Sequence, residues 1–270
     1  MPEIKLVAID LDGTLLDDDT RISGRSREAI RATRAAGVEV TLATGRMFCA
    51  ALPFARELGL NLPLITYQGA LVKNSGTGEV LYARFLSPDL ARRIIRKIKS
   101  YGFPFNVYLD DFLCTEEDSP ALREYTRKNR VPFQIAPDML QFVGDREPIK
   151  ILVMEDPDKL NALEADCRRE FGGQVHMTRS FPYYLEFVHP EANKARGLEA
   201  VARYLRVARE EIMAIGDSFN DLEMFQYAGL AVAMGNAPEE VKAAAVYVTG
   251  TNNDGGVAEA LERFILKGPV

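Results

Sequence analysis

The sequence predicts a doubly wound α/β domain into which an α+β module is inserted, and three observations carry that prediction. Short apolar runs alternate with helical patterns toward both ends of the chain, the order of βαβ units in a parallel sheet. The runs are unbroken stretches of Val, Ile, Leu and Ala, as in strands buried on both faces. Residues 85–184 instead mix helices with paired extended segments, a pattern of an α+β module with a largely antiparallel sheet.

The first strand is "IKLVAID" (4–10), followed by a helix over 25–36 that Gly37 stops. A second strand, "VEVTLAT" (38–44), leads to a helix over 48–58 that Gly59 stops, and "PLITYQG" (63–69) reads as a third strand. The insert opens with "SPDLARRIIRKIKSYG", a helix with Ser87 as N-cap, Pro88 in the first turn and Gly102 as stop. Its Lys and Arg recur at helical spacing and read as a solvated face. "FPFNVYLDDFLCTE" reads as a hairpin around Asp110-Asp111, "PIKILVME" as a strand and "DPDKLNALEADCRREFGG" as a capped helix. "VHMTRSFPYYLEFV" closes the insert as extended chain. The chain then re-enters the outer domain through "HPEANKARGLEAV", a helix opening at Lys194, and adds strands "EIMAIGD" and "GLAVAMG". "APEEVKAAA" and "GGVAEALERFI" read as closing helices, with "TGTNNDGG" as the turn before the last. The expected organisation is a Rossmann-like core of 1–84 and 185–270 with an inserted α+β cap domain of 85–184.

A net charge of −6 argues against nucleic acid and anionic membrane surfaces as partners. Three scattered cysteines, with no C-x-x-C, do not form a disulfide framework. With no apolar leader and no stretch of transmembrane length, the expectation is a cytoplasmic protein, and nothing in the sequence sets an oligomeric state.

Ligands of an open parallel sheet bind beyond the carboxyl ends of its strands. The first strand ends in Asp10, with Asp12 in the loop; the second in Thr44, Gly45 and Arg46; a later one in Asp217, Ser218, Asn220 and Asp221. Singly, each cluster is compatible with strand-ending or helix-capping carboxylates. An EF-hand counted from Asp10 fails, because its fifth, sixth and twelfth places hold Thr14, Leu15 and Arg21. No P-loop is present, and His176 and His189 have no partners for a Ser-His-Asp triad. Together the acids form a pattern with a physical consequence. Two carboxylates about 4 Å apart repel by roughly 4 kcal/mol at an effective dielectric near 20, so such a pocket calls for a cation or a protonated carboxyl. The donors are all oxygens, which fits a hard divalent ion such as Mg²⁺.

"DLDGT", "ATGR", Lys194 and "GDSFND", in that order, resemble the motifs of the haloacid dehalogenase (HAD) superfamily of phosphohydrolases. The insert resembles the type IIB cap of its Cof-type branch, and the likeness spans the chain. One departure is Ala195, where relatives often have Gly after the lysine. The resemblance implies a Mg²⁺-dependent phosphatase acting on small phosphorylated metabolites, sugar phosphates among them, through an aspartyl-phosphate. Asp10 would be the nucleophile and Asp12 the general acid and base. Asp10, the Asp12 carbonyl and Asp217 would hold the metal, with Asp221 behind them. The amides of Leu11 and Gly45, the Thr44 hydroxyl, Lys194 and Asn220 would hold phosphoryl oxygens. Arg46 has two readings, a phosphate or substrate contact and an ion pair with a core carboxylate. A phosphomutase and a non-catalytic phosphate-binding regulator remain as alternatives, while a dehalogenase would need neither Asp12 nor the second acidic cluster. The cap would close over the site and exclude water.

Overall fold

The computed structural model describes residues 3–129, 131–179 and 181–266. The chain divides into two compact units: the first takes the N-terminal segment to Arg46, Ala51–Tyr82 and everything from Asn193, the second Met47–Ala50 and Ala83–Ala192.

In the first unit, β1 (Leu6–Ile9), α1 (Gly24–Ala35), β2 (Glu39–Leu42) and α2 (Phe48–Glu57) follow in sequence, α2 beginning within the short second-unit segment. Ser23 caps α1 by accepting the Ser26 N–H, and Gly37 beyond its end has φ +85°, where a side chain is disfavoured. Next come β3 (Pro63–Thr66), β4 (Leu71–Asn74) and β5 (Val80–Ala83). Here the structure departs from the expected third parallel strand. β3 pairs antiparallel with β4, meets β2 through a parallel bridge between Ala43 and Ile65 and the Thr41 hydroxyl on the Pro63 carbonyl at 2.6 Å, and ends at Thr66. The turn at Tyr67–Gly69 folds β4 back on β3, and β4 runs on to a second turn in which Asn74 Oδ1 accepts the N–H groups of Gly76 and Thr77. "YQG", expected to finish the strand, is a tight turn with Tyr67 and Gln68 at φ 51° and 59°.

The second unit contains α3 (Pro88–Tyr101), β6 (Phe105–Leu109), β7 (Phe112–Thr115), α4 (Pro120–Asn129), β8 (Phe133–Ile135), α5 (Met139–Val143), β9 (Lys150–Met154), α6 (Pro157–Phe171), β10 (His176–Thr178) and β11 (Tyr184–Val188). Its six strands run in the order β10-β11-β9-β6-β7-β8. The described pairings are antiparallel except β7 with β8. Asp110 and Asp111, both at positive φ, make the two-residue turn between β6 and β7, with Leu109 facing Phe112. Apolar residues of α3 and α6, such as Ile94, Ile98, Leu160 and Phe171, pack on one face of this sheet against Val107, Ile151 and Phe187. The unit extends past residue 184, because β11 pairs with β9 through Phe187 and so cannot leave the sheet there.

The chain returns to the first unit with α7 (Lys194–Leu205), β12 (Ile212–Gly216), α8 (Leu222–Tyr227), β13 (Leu230–Ala233), α9 (Glu239–Ala243), β14 (Tyr247–Val248) and α10 (Gly256–Leu261). The central sheet is parallel throughout, ordered β14-β13-β12-β1-β2. All four β1 residues are fully buried, as their unbroken apolar sequence requires. In register, Ile9 lies opposite Leu42 on one side and Ile215 on the other. The loops after β1, β2 and β12 therefore leave the sheet side by side. No helix among the described residues is long and apolar enough to cross a membrane.

Candidate active site

Asp10 is the first residue beyond β1, held by its N–H on the Ile215 carbonyl at 3.0 Å. Its neighbour Ala43 beyond β2 donates to the Ile9 carbonyl at 2.9 Å. The sheet register thus fixes the backbone on which the candidate side chains stand. Lys194, the first residue of α7, is buried, and its Nζ donates to Asp10 Oδ1 and Asp221 Oδ1, each at 2.6 Å. Both Asp221 oxygens are occupied, because Oδ2 accepts the N–H groups of Asp217 and Ser218 at 3.0 Å each. This carboxylate closes the loop after β12 and anchors the lysine at once. Asp217 Oδ1 accepts from the Thr14 hydroxyl at 2.7 Å, which ties that loop to the loop after β1.

Carboxylate oxygens of Asp10, Asp217 and Asp221 lie within 4.8 Å of one another, a geometry that could hold a metal ion. Burial pushes the Asp10 carboxyl well above the ordinary carboxylate range; Lys194 opposes the shift, while Asp221, Asp217 and Asp12 add to it. Asp217 is pushed up to about 6, first by burial and then by Asp221, against the hydrogen bond from Thr14. Burial works against the Lys194 charge, yet Asp10 and Asp221 outweigh it and raise its pKa. If all three carboxylates lose their protons, one ammonium leaves a local charge of −2. A divalent cation matches that charge, and an all-oxygen donor set suits a hard one. The residues present therefore fit a metal.

Asp12 points elsewhere. Its carboxylate is gripped at both oxygens by Arg46, with Nε at 2.7 Å and Nη2 at 2.6 Å, and it contributes no side-chain oxygen to the acidic cluster. The Arg46 guanidinium also lies over the Phe54 ring at 5.3 Å. Of the two readings of Arg46, the structure shows an ion pair, with a candidate catalytic carboxylate as its partner.

Thr44 is buried and its hydroxyl oxygen accepts the Arg46 N–H at 3.1 Å, so its proton remains for another acceptor. Leu11 is buried between the two aspartates, its carbonyl taking the Leu16 N–H at 2.9 Å. A Cβ at Gly45 would lie 2.4 Å from Gln68 Nε2, so a side chain there would have to displace the Gln68 amide. Asn220 Nδ2 donates to Gln68 Oε1 at 2.9 Å. Among the described residues the structure brings Asp10, Lys194, Asp217 and Asp221 into direct contact or close range, links Asn220 to the Gly45 loop through Gln68, and turns Asp12 to Arg46.

Three supports escape the sequence reading. Thr14 ties the first loop to Asp217. Gln68 looks like the tail of a strand until its turn is seen. The segment "TGTNNDGG" does more than turn: Asn252 Nδ2 donates to the Leu16 carbonyl and to Asp18, and its N–H donates to Asn236 Oδ1, whose Nδ2 in turn donates to the Gly13 carbonyl. Asn-rich turns that brace a distant loop leave no periodic signal, so only the Asn content of "GNA" and "TNND" pointed there.

Residues 7–261 match the model of the haloacid dehalogenase-like hydrolase family, and the chain belongs to that family. It is an enzyme of the phosphoric monoester hydrolase kind, a HAD-type phosphatase. It is 32% identical over 98% of its length to 5-amino-6-(5-phospho-D-ribitylamino)uracil phosphatase YcsE of Bacillus subtilis, of which it covers 97%. It is 30% identical over 88% of its length to HMP-PP phosphatase of Cronobacter sakazakii, covering 87% of that protein. A haloacid dehalogenase-like hydrolase from Bacteroides thetaiotaomicron superposes with a TM-score of 0.88 at 33% identity, covering 97% of this chain and 99% of its own.

Proposed function

We propose that this chain hydrolyses a small phosphorylated metabolite, with sugar phosphates the class to test first, through an aspartyl-phosphate on Asp10. The observation that carries the reading is the Asp10–Lys194–Asp221 contact beside Asp217, where one buried ammonium faces several carboxylates. The names of the two relatives, each a phosphatase of a different small phosphorylated compound, support the substrate class.

An Asp10 carboxylate oxygen attacks phosphorus, and the bond to the ester oxygen breaks as that oxygen takes a proton from Asp12. Water then attacks phosphorus, its proton passes to Asp12, and the bond to Asp10 breaks. Both Asp12 oxygens are held by Arg46, so at least one of those contacts opens before Asp12 meets the leaving oxygen. Mg²⁺ bound by Asp10, Asp217 and the Asp12 carbonyl would neutralise the pocket and stabilise charge on the transferring phosphoryl group. Lys194 opposes the burial of the Asp10 charge and so favours its ionised form for attack and, with the Thr44 hydroxyl, Asn220 and the amides of Leu11 and Gly45, holds phosphoryl oxygens.

The test is p-nitrophenyl phosphate turnover by the wild type with Mg²⁺, with EDTA, and by Asp10→Asn. Turnover that needs the metal and vanishes in a folded Asp10→Asn supports the assignment. Wild-type turnover by Asp10→Asn sinks it.

A further inference from the structure

Gln68 occupies a position whose cost and contacts exceed those of a loop filler. It is 3% exposed and sits at φ 59° directly after Tyr67 at φ 51°, a conformation side-chain-bearing residues rarely adopt. Surrounding contacts hold the turn in this form. The Gln68 N–H donates to the Thr44 carbonyl at 3.2 Å and the Tyr67 N–H to the Arg46 carbonyl at 2.9 Å. On its other side Gly69, at φ 90°, lies so close to α7 that a Cβ would meet the Asn193 carbonyl oxygen at 2.0 Å and the Lys194 nitrogen at 3.0 Å. The same turn therefore presses on the loop after β2 and on the start of the helix that carries Lys194.

The side chain extends the link to a third element. Gln68 Oε1 accepts from Asn220 Nδ2 at 2.9 Å, while Gln68 Nε2 fills the space a Cβ would need at Gly45. Among the described residues this is the only hydrogen bond of the Asn220 side chain, whose Oδ1 is buried without a partner. Gln68 is thus the hydrogen-bonding partner that turns this amide among the described residues. An Asn amide has two protons; with one directed to Gln68, the direction of the second is set as well.

We propose that Gln68 is a positioning residue for phosphoryl recognition: it orients the Asn220 amide and seats the Gly45 peptide. The inference rests on the reading that Asn220 and Gly45 hold phosphoryl oxygens. It assigns Gln68 no contact with substrate.

The experiment uses the full chain with Mg²⁺ and p-nitrophenyl phosphate as substrate, inorganic phosphate as competitive inhibitor, and thermal unfolding as the control for folding. Gln68→Met keeps the volume and removes the acceptor. Gln68→Asn keeps an amide and suits the left-handed backbone better, but is one methylene too short for Asn220; it remains informative if the Met variant fails to fold. Both variants should raise the phosphate Ki and lower kcat/KM by about five- to tenfold, the scale of one lost hydrogen bond, with Gln68→Asn unfolding no earlier than wild type. In an Asn220→Ala background, Gln68→Met should add less than twofold, because its partner is already gone. A phosphate Ki within twofold of wild type in both variants, or a loss that adds in full to that of Asn220→Ala, overturns the proposal. If Asp10→Asn is inactive while the Gln68 variants match wild type, Gln68 alone is misassigned. If Asp10→Asn keeps full turnover, the nucleophile is wrong, and the phosphate Ki still judges Gln68 by itself.

Discussion

Asp217→Asn should stabilise the metal-free protein at neutral pH, although it removes a candidate metal ligand. Asn keeps the shape and can still accept the Thr14 hydroxyl, now 2.7 Å from Oδ1. What it removes is a carboxylate whose pKa is pushed from 3.8 to about 6 by burial and by Asp221. The folded state holds that proton more tightly than the unfolded chain does. Its contribution is therefore fully present below pH 3.8 and is lost as pH rises through 6. At 1.36 kcal/mol per pKa unit, ionising Asp217 costs the folded state about 2–3 kcal/mol at pH 7. Urea denaturation in EDTA should show Asp217→Asn more stable than wild type by that amount at pH 7 and equal to it near pH 4. Adding Mg²⁺ should reverse the order at pH 7, because only wild type keeps the full ligand set and gains stability by mass action. An Asn variant that is no more stable than wild type in EDTA at pH 7, or that gains as much from Mg²⁺, would refute the view that this pocket is an uncompensated charge cluster awaiting a cation.

Two further outcomes follow from the same geometry. Lys194→Met leaves Asp10 and Asp221 buried without their shared cation and should lower stability by about 3–5 kcal/mol, measured by denaturant unfolding, with the deficit shrinking at acid pH. Gly13→Ala meets two obstacles, a backbone at φ 79° and a Cβ 2.5 Å from Asp217 Oδ2; it should cost about 1–3 kcal/mol and weaken Mg²⁺ binding in a calorimetric titration.

Much of the central sheet was legible because its signals are local. A continuous apolar run such as "LVAI" implies a strand buried on both faces, and Ser87 before Pro88 or Gly102 after Tyr101 marks a helix end through the chain's own hydrogen bonding. The third strand was legible over Pro63–Thr66 but not its end or its antiparallel partner, because all of "PLITYQG" has the same apolar character as the other strands. Its antiparallel partner β4 follows directly on a turn in which its last three residues bend left-handed under contacts from α7 and the loop after β2. The elements between residues 117 and 143 were equally quiet; β8 is an edge strand with all three residues exposed, so no alternation of buried and exposed positions marks it.

For the candidate site, the sequence by itself determined which acids, amide and lysine stand at strand and helix ends, because those ends are set by neighbouring residues. Only the tertiary structure decided the pairings. Lys194 and Asp10 are 184 positions apart and Asp12 and Arg46 are 34 apart. That Lys194 faces Asp10 and Asp221 while Asp12 turns to Arg46 depends on β12, β1 and β2 lying adjacent in register. Hydrogen bonds and Coulomb forces act over a few ångströms in space, and chain separation carries no information about that distance.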